Sequence, residues 1–118
     1  MLNVLVVDDS PSVLGMLSAV LSARGLLVHE ARSGGEALNT IAGSKIDVVV
    51  TDLLMPGMDG IELTREIRRM RPGEKIPILM LTTQSSEAMR QAGNDAGVTS
   101  WVVKPVSPVR LAALIRKA

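Results

Sequence analysis

Val4 to Ser12 read VLVVDDSPS. Val4 to Val7 form an apolar run with no polar interruption, the pattern of a strand covered on both faces. Two adjacent carboxylates follow, Asp8 and Asp9. Ser10 and Pro11 come next, a pair suited to capping and opening a helix. Carboxylates at the end of a core strand repel each other, and buried without a partner each costs several kcal/mol. A capping role accounts for one acid but does not need two. The pair therefore asks for a neutralising partner.

The rest of the chain repeats the strand-then-helix pattern. Strands are expected at Asn3–Val7, Leu27–Glu30, Ile46–Thr51, Ile78–Thr82 and Ser100–Val103. Val48 to Val50 and Ile78 to Leu81 are unbroken apolar runs, like the first. Helices are expected at Pro11–Arg24, Gly35–Ala42, Ile61–Met70, Ser86–Asp95 and Pro108–Lys117. The first is the clearest: Val13, Leu17, Val20 and Leu21 recur at helical spacing and Gly25 ends it. Five βα units in succession point to an α/β fold, a doubly wound parallel sheet between helical layers.

Composition bounds the function classes. The chain has 118 residues, enough for a single domain with one core. Its apolar content of 47% against 21% charged residues fits a globular domain and excludes a disordered one. No apolar run approaches the ~20 residues of a membrane-spanning helix. No basic segment precedes an apolar run at the N-terminus, so no signal peptide is read, and a cytoplasmic location is expected. There is no cysteine and one histidine, His29, which argues against disulfides and structural zinc. His29 itself reads as an ordinary strand-end residue, for which the sequence suggests no partner. A net charge of +1 projects no strong field toward nucleic acid or a membrane, and neither is expected as a partner. The basic stretch from Arg65 to Lys75 is expected to decorate the exposed face and C-terminal end of the third helix. Gly93 and Asn94 are poor helix formers, so the fourth helix is expected to be short or frayed.

In doubly wound sheets, ligands sit outside the carboxyl ends of the strands, where strand order reverses. Asp8 and Asp9 end the first strand, Asp52 the third, Thr82 and Thr83 the fourth, and Lys104 the fifth. Adjacent carboxylates with oxygen-only neighbours suit a hard divalent cation, and magnesium in particular leaves room for phosphate. Lys104 brings a positive point charge suited to a phosphoryl oxygen. The Thr82 hydroxyl can donate to another. Asp52 is then the carboxylate best placed to act as nucleophile.

The segments VLVVDDSPS, VVVTDLLMPGMDGIEL, PILMLTT and SWVVKP together resemble the signature segments of response-regulator receiver domains. The likeness covers essentially the whole chain, in order and spacing, and is nearest to chemotaxis-type receivers. The resemblance implies a flavodoxin-like sheet of order 2-1-3-4-5, which the residue pattern alone does not supply. It implies that Asp52 is the phosphoacceptor. Asp8, Asp9 and Asp52 would hold Mg2+ together with the backbone carbonyl of Leu54, with Asp9 the more direct ligand of the acid pair. Lys104 matches the family's lysine, and Thr82 and Trp101 its switch residues. The family usually carries Tyr or Phe where Trp101 stands, and the larger indole is expected to be harder to bury. Thr83 stands where many members carry Ala or Gly, and is expected to crowd the phosphoryl site. The Lys104–Pro105 bond is expected to be cis.

The function implied is a stand-alone response regulator, a single receiver domain over residues 1–118. It would take a phosphoryl group from a histidine kinase and switch the face formed by the fourth helix, fifth strand and fifth helix. It would act as a phosphoacceptor rather than an enzyme, and as a monomer. Its output would be another protein, the flagellar motor switch being the chemotaxis case. Two alternatives keep the fold: a domain excised from a larger DNA-binding regulator or hybrid kinase, and a phosphate-independent scaffold, against which all five site residues are retained. A nucleotide or flavin enzyme is disfavoured, since G-x-G-x-x-G and G-x-x-x-x-G-K-[ST] are both absent and a single aromatic residue could stack a flavin.

Overall fold

The computed structural model describes residues 1–118 as five strands alternating with five helices. The strands are β1 (Asn3–Val7), β2 (Leu27–Ala31), β3 (Val48–Thr51), β4 (Ile78–Thr82) and β5 (Ser100–Val103). The helices are α1 (Pro11–Ser22), α2 (Gly34–Gly43), α3 (Gly60–Arg69), α4 (Glu87–Ala96) and α5 (Pro108–Lys117). All strand pairs are parallel, in the order β2-β1-β3-β4-β5. This is the doubly wound sheet expected, with the strand order that the resemblance implies.

The unbroken apolar runs are explained by covering on both sides. Val4 and Val6 of β1 join Val48 and Val50 of β3 in one core, packed against Leu14, Leu21 and Ile115 of α1 and α5. Leu5, Val7 and Val49 point the other way, onto Ile41 of α2 and Leu63 and Ile67 of α3. Strand residues alternate between two apolar layers rather than between core and water, so no polar alternation appears.

Helix boundaries shift by one or two residues from those expected, and the caps give the reasons. Ser10, Ser33, Ser86 and Ser107 each accept a backbone N–H through the side chain and so lie just outside their helices. Asp59 and Glu62 form a reciprocal capping box that starts α3 at Gly60. β3 begins at Val48 rather than Ile46. Asp47 instead ties the start of β1: its backbone N–H donates to the Asn3 carbonyl and its carboxylate accepts the Asn3 N–H at 2.7 Å. His29 is not without a partner, since its Nε2 lies 3.1 Å from Asn3 Oδ1.

Two expectations about helices are corrected. α4 is neither short nor frayed: it runs ten residues and closes on Gly97, at φ 108°, with the Gly97 and Val98 N–H groups turned back on the Asn94 and Gly93 carbonyls. The basic stretch also does more than face water. Arg68 folds inward, donating from Nε and Nη2 to the Gly97 carbonyl at 3.1 and 2.7 Å. Its Nη1 donates to the Gly73 and Ile76 carbonyls at 2.9 and 2.6 Å. One guanidinium therefore joins the end of α3, the approach to β4 and the corner after α4, using donors in the planar fork that lysine lacks.

Candidate functional site

β1 lies between β2 and β3, so the chain order reverses where β1 meets β3. The residues leaving those two strands are Asp8 and Asp52, and the Asp52 N–H donates to the Val7 carbonyl at 2.9 Å. Carboxylate oxygens of Asp8, Asp9 and Asp52 all lie within 4.8 Å of one another. The three acids read from sequence as converging do converge. Their surroundings differ: Asp8 is buried, with 4% of its surface exposed, Asp52 is half-buried and Asp9 is exposed.

Neither acid of the pair caps α1, since Ser10 Oγ accepts the Val13 N–H. Asp8 Oδ1 instead accepts the Ser10 N–H at 2.9 Å, which fixes the loop leaving β1. Asp52 Oδ1 accepts the Leu53 N–H at 2.9 Å. The segment after β3 is held by a close approach: the Gly60 N–H donates to the Leu53 carbonyl at 2.8 Å. A Cβ at Gly60 would come within 2.4 Å of the Asp52 carbonyl oxygen, so only glycine lets α3 start this near the site. Leu54, two residues past Asp52, exposes its side chain to solvent.

Lys104 reaches in from the end of β5, its Nζ 3.7 Å from Asp52 Oδ1. The Lys104 N–H donates to the Thr82 carbonyl, which sets the two strand ends side by side. Its bond to Pro105 is cis, as expected. Beside Lys104 opens an apolar cleft lined by Val13, Met16, Leu17, Leu81, Pro105 and Val106. Thr82 is buried, and its Oγ1 accepts the Gln84 N–H at 3.1 Å, leaving the hydroxyl proton free to donate elsewhere. Thr83 beside it is exposed.

Trp101 is half-buried against α4, in the same apolar cluster as Met89 and Ala92. Its Nε1–H donates to the Gln84 carbonyl at 2.8 Å. Sequence reasoning missed Gln84, which contributes only backbone groups and so leaves no side-chain signal.

Burial pushes the Asp52 carboxyl above the usual carboxylate range. Lys104 and the Leu53 N–H pull it back, while Asp8 and Asp9 push the same way as burial. The folded chain thus binds this proton more tightly than the unfolded chain. The stability so gained is present below the unfolded carboxylate pKa and is lost as pH rises through the raised folded value. An Asp52→Asn variant stays neutral throughout. In chelator, urea midpoints at neutral pH should be higher for Asp52→Asn than for the parent, and the gap should close as pH falls through the folded pKa. A gap that does not change with pH counts against the unfavourable burial of this charge.

Three carboxylates with no nitrogen or sulfur donor among them are an all-oxygen set of the kind that could hold a hard divalent cation. The arrangement can place that cation and the Lys104 ammonium on either side of one carboxylate.

Comparison with known proteins agrees with this geometry. A family model described as the response regulator receiver domain matches residues 4–116. The transcriptional regulatory protein ResD of Bacillus subtilis is 39% identical over 98% of this chain and 49% of its own length. This chain thus spans about half the length of the curated relatives it matches. The chemotaxis protein CheY4 of Vibrio cholerae superimposes with a TM-score of 0.95 at 38% identity, over 99% of this chain and 98% of that one. The receiver domain of the sensor histidine kinase PA1611 of Pseudomonas aeruginosa has a TM-score of 0.90 at 27% identity, over 98% of this chain and 95% of that one. Its structure carries a magnesium ion coordinated in the active-site cleft.

Proposed function

This chain belongs to the response-regulator receiver domain family of two-component signalling, and from that membership we propose that it is a phosphorylation switch with Asp52 as phosphoacceptor. The observation that carries the proposal is the pairing of the three-acid cluster with Lys104 on Asp52. A carboxylate oxygen of Asp52 attacks the phosphorus of a histidine kinase phosphohistidine. The P–O bond forms as the P–N bond breaks, and the imidazole leaves with the nitrogen's electron pair. Lys104 offsets the charge on one transferred oxygen, and the free Thr82 hydroxyl proton bonds to another. Asp8, Asp9, Asp52 and the Leu54 carbonyl would hold Mg2+, which would supply charge neutralisation for the incoming phosphoryl group. Catalysis of this kind is mostly positioning and electrostatics, so the chain assists its own transfer and hydrolysis without being an enzyme on a separate substrate. The apolar cleft beside Lys104 gives a protein phosphodonor a surface to cover while its histidine reaches Asp52.

The switch reads out through α4, β5 and α5, where Trp101 and the loop after Thr82 respond to the phosphoryl group. Its extent is bounded by how much better that group binds one loop position than the other. The likeness to a chemotaxis protein across nearly its whole length supports a stand-alone regulator acting on a protein target in the cytoplasm, the flagellar motor switch being one such target. No helix is long and apolar enough to cross a membrane. A second reading is favoured by the half-length match to ResD: the same receiver heading a longer transcriptional regulator. The reading frame after Ala118 separates the two.

Incubation with acetyl phosphate and Mg2+, followed by intact mass spectrometry, should give a single added phosphoryl group. No addition at any donor concentration rejects the phosphoacceptor and favours a phosphate-independent scaffold.

A further inference from the structure

We propose that Gly93 is a positioning residue for the phosphoryl site: it is the seat in α4 on which the Trp101 ring rests, and through that ring it holds the loop that orients Thr82. This rests on the reading of Thr82 as a phosphoryl ligand. A Cβ built on Gly93 would lie 2.7 Å from Trp101 Cζ3 and 2.9 Å from Cε3, closer than side-chain atoms approach one another. Both atoms belong to the six-membered ring of the indole, while the Nε1–H that meets the Gln84 carbonyl lies on its five-membered ring, a donor that phenylalanine lacks. A glycine inside a helix costs stability relative to alanine, so its presence in the fourth position from the end of α4 calls for a reason. The ring supplies one. With the ring seated, the indole N–H meets the Gln84 carbonyl, and the Gln84 N–H meets Thr82 Oγ1. The backbone of one loop residue is thus held from both sides, by the seated ring and by the hydroxyl it positions. α4 is itself fixed near the seat, because Arg68 bonds the Gly97 carbonyl at 2.7 Å.

The chain has one tryptophan and no tyrosine or phenylalanine, so its emission reports this ring alone. Without any phosphodonor, Gly93→Ala should shift the emission to the red and increase quenching by acrylamide, because the added methyl lifts the ring into water. With acetyl phosphate and Mg2+, the rate of phosphoryl uptake should fall about fivefold, the factor for losing one net hydrogen bond. Trp101→Phe should lower the rate by a similar factor, and adding Gly93→Ala to it should change the rate no further, since both act through the ring. A Gly93→Ala protein that is merely more helical, with unaltered emission, quenching and rate, overturns the proposal. So does an equal further loss in the Trp101→Phe background. If Gly93→Ala fails to fold, the Trp101→Phe rate decides alone: a rate equal to the parent's rejects the coupling. Failure of the parent to take up phosphoryl groups would reject the function instead and leave the emission arm standing.

Discussion

Asp52→Ala should take up no phosphoryl group under conditions that saturate the parent, and Lys104→Ala should take it up about 100- to 1000-fold more slowly, the usual cost of one lost electrostatic contact to a developing charge. The two variants separate nucleophile from stabiliser. Removing Asp52 removes the only acid of the cluster that contacts Lys104. Asp8 cannot substitute, because it is buried and its Oδ1 already accepts the Ser10 N–H. Asp9 is exposed and has no comparable cation beside it. Removing Lys104 leaves the nucleophile but strips away the Coulombic attraction that opposes burial, Asp8 and Asp9 at Asp52. The Asp52 carboxyl then rises further, and less of it is ionised at a given pH. The Lys104→Ala rate deficit should therefore shrink as pH rises, whereas Asp52→Ala stays inactive. Phosphoryl uptake by Asp52→Ala at the parental rate would move the acceptor elsewhere. An unaltered Lys104→Ala rate would make the 3.7 Å contact incidental. Both readouts come from time courses of intact mass.

The features legible in the sequence were those whose signals are local or set by topology. Unbroken apolar runs announce strands covered on both faces, and the Ser10–Pro11 pair marks the start of α1. Once the sheet is parallel, the polar residues at strand ends must gather on one edge, so Asp8, Asp9, Asp52, Thr82 and Lys104 could be placed together without coordinates. What was not legible depends on which surfaces meet. Asp8 and Asp9 are identical neighbours in sequence, yet one is buried and the other exposed. Arg68 sits in a run of cations that looks uniformly solvated, and only the approach of the Gly97 carbonyl turns it inward. Gly93 reads as a weak helix residue until Trp101, eight positions on, comes to lie against it. Propensity counts the cost of a glycine and cannot see the side chain that fills its vacancy. Gln84 is invisible for a simpler reason: its contribution is backbone, and any residue but proline could make it.

Millimolar Mg2+ should raise the melting temperature of the parent by on the order of 10 °C, and Asp9→Asn should abolish most of that rise while starting from a higher metal-free midpoint. A ligand at a hundred times its dissociation constant adds about 2.7 kcal/mol of stability if it binds only the folded state. For a domain of this size each kcal/mol moves the midpoint by roughly 3–6 °C. The folded state brings carboxylate oxygens from the ends of β1 and β3 within 4.8 Å, although 42 residues lie between Asp9 and Asp52 in the chain. The metal-free protein bears the repulsion of that cluster with one ammonium to offset it, which is why removal of one charge stabilises it. In a metal-bound protein the same charge would be a ligand, and its removal would weaken binding. The two effects have opposite signs, and a simple packing role for Asp9 predicts neither, because the side chain is exposed. A capping role for Asp9 is already excluded, because Ser10 caps α1. An unchanged parental midpoint in Mg2+ removes the metal from the account, and with it the reason for placing two carboxylates at the end of β1.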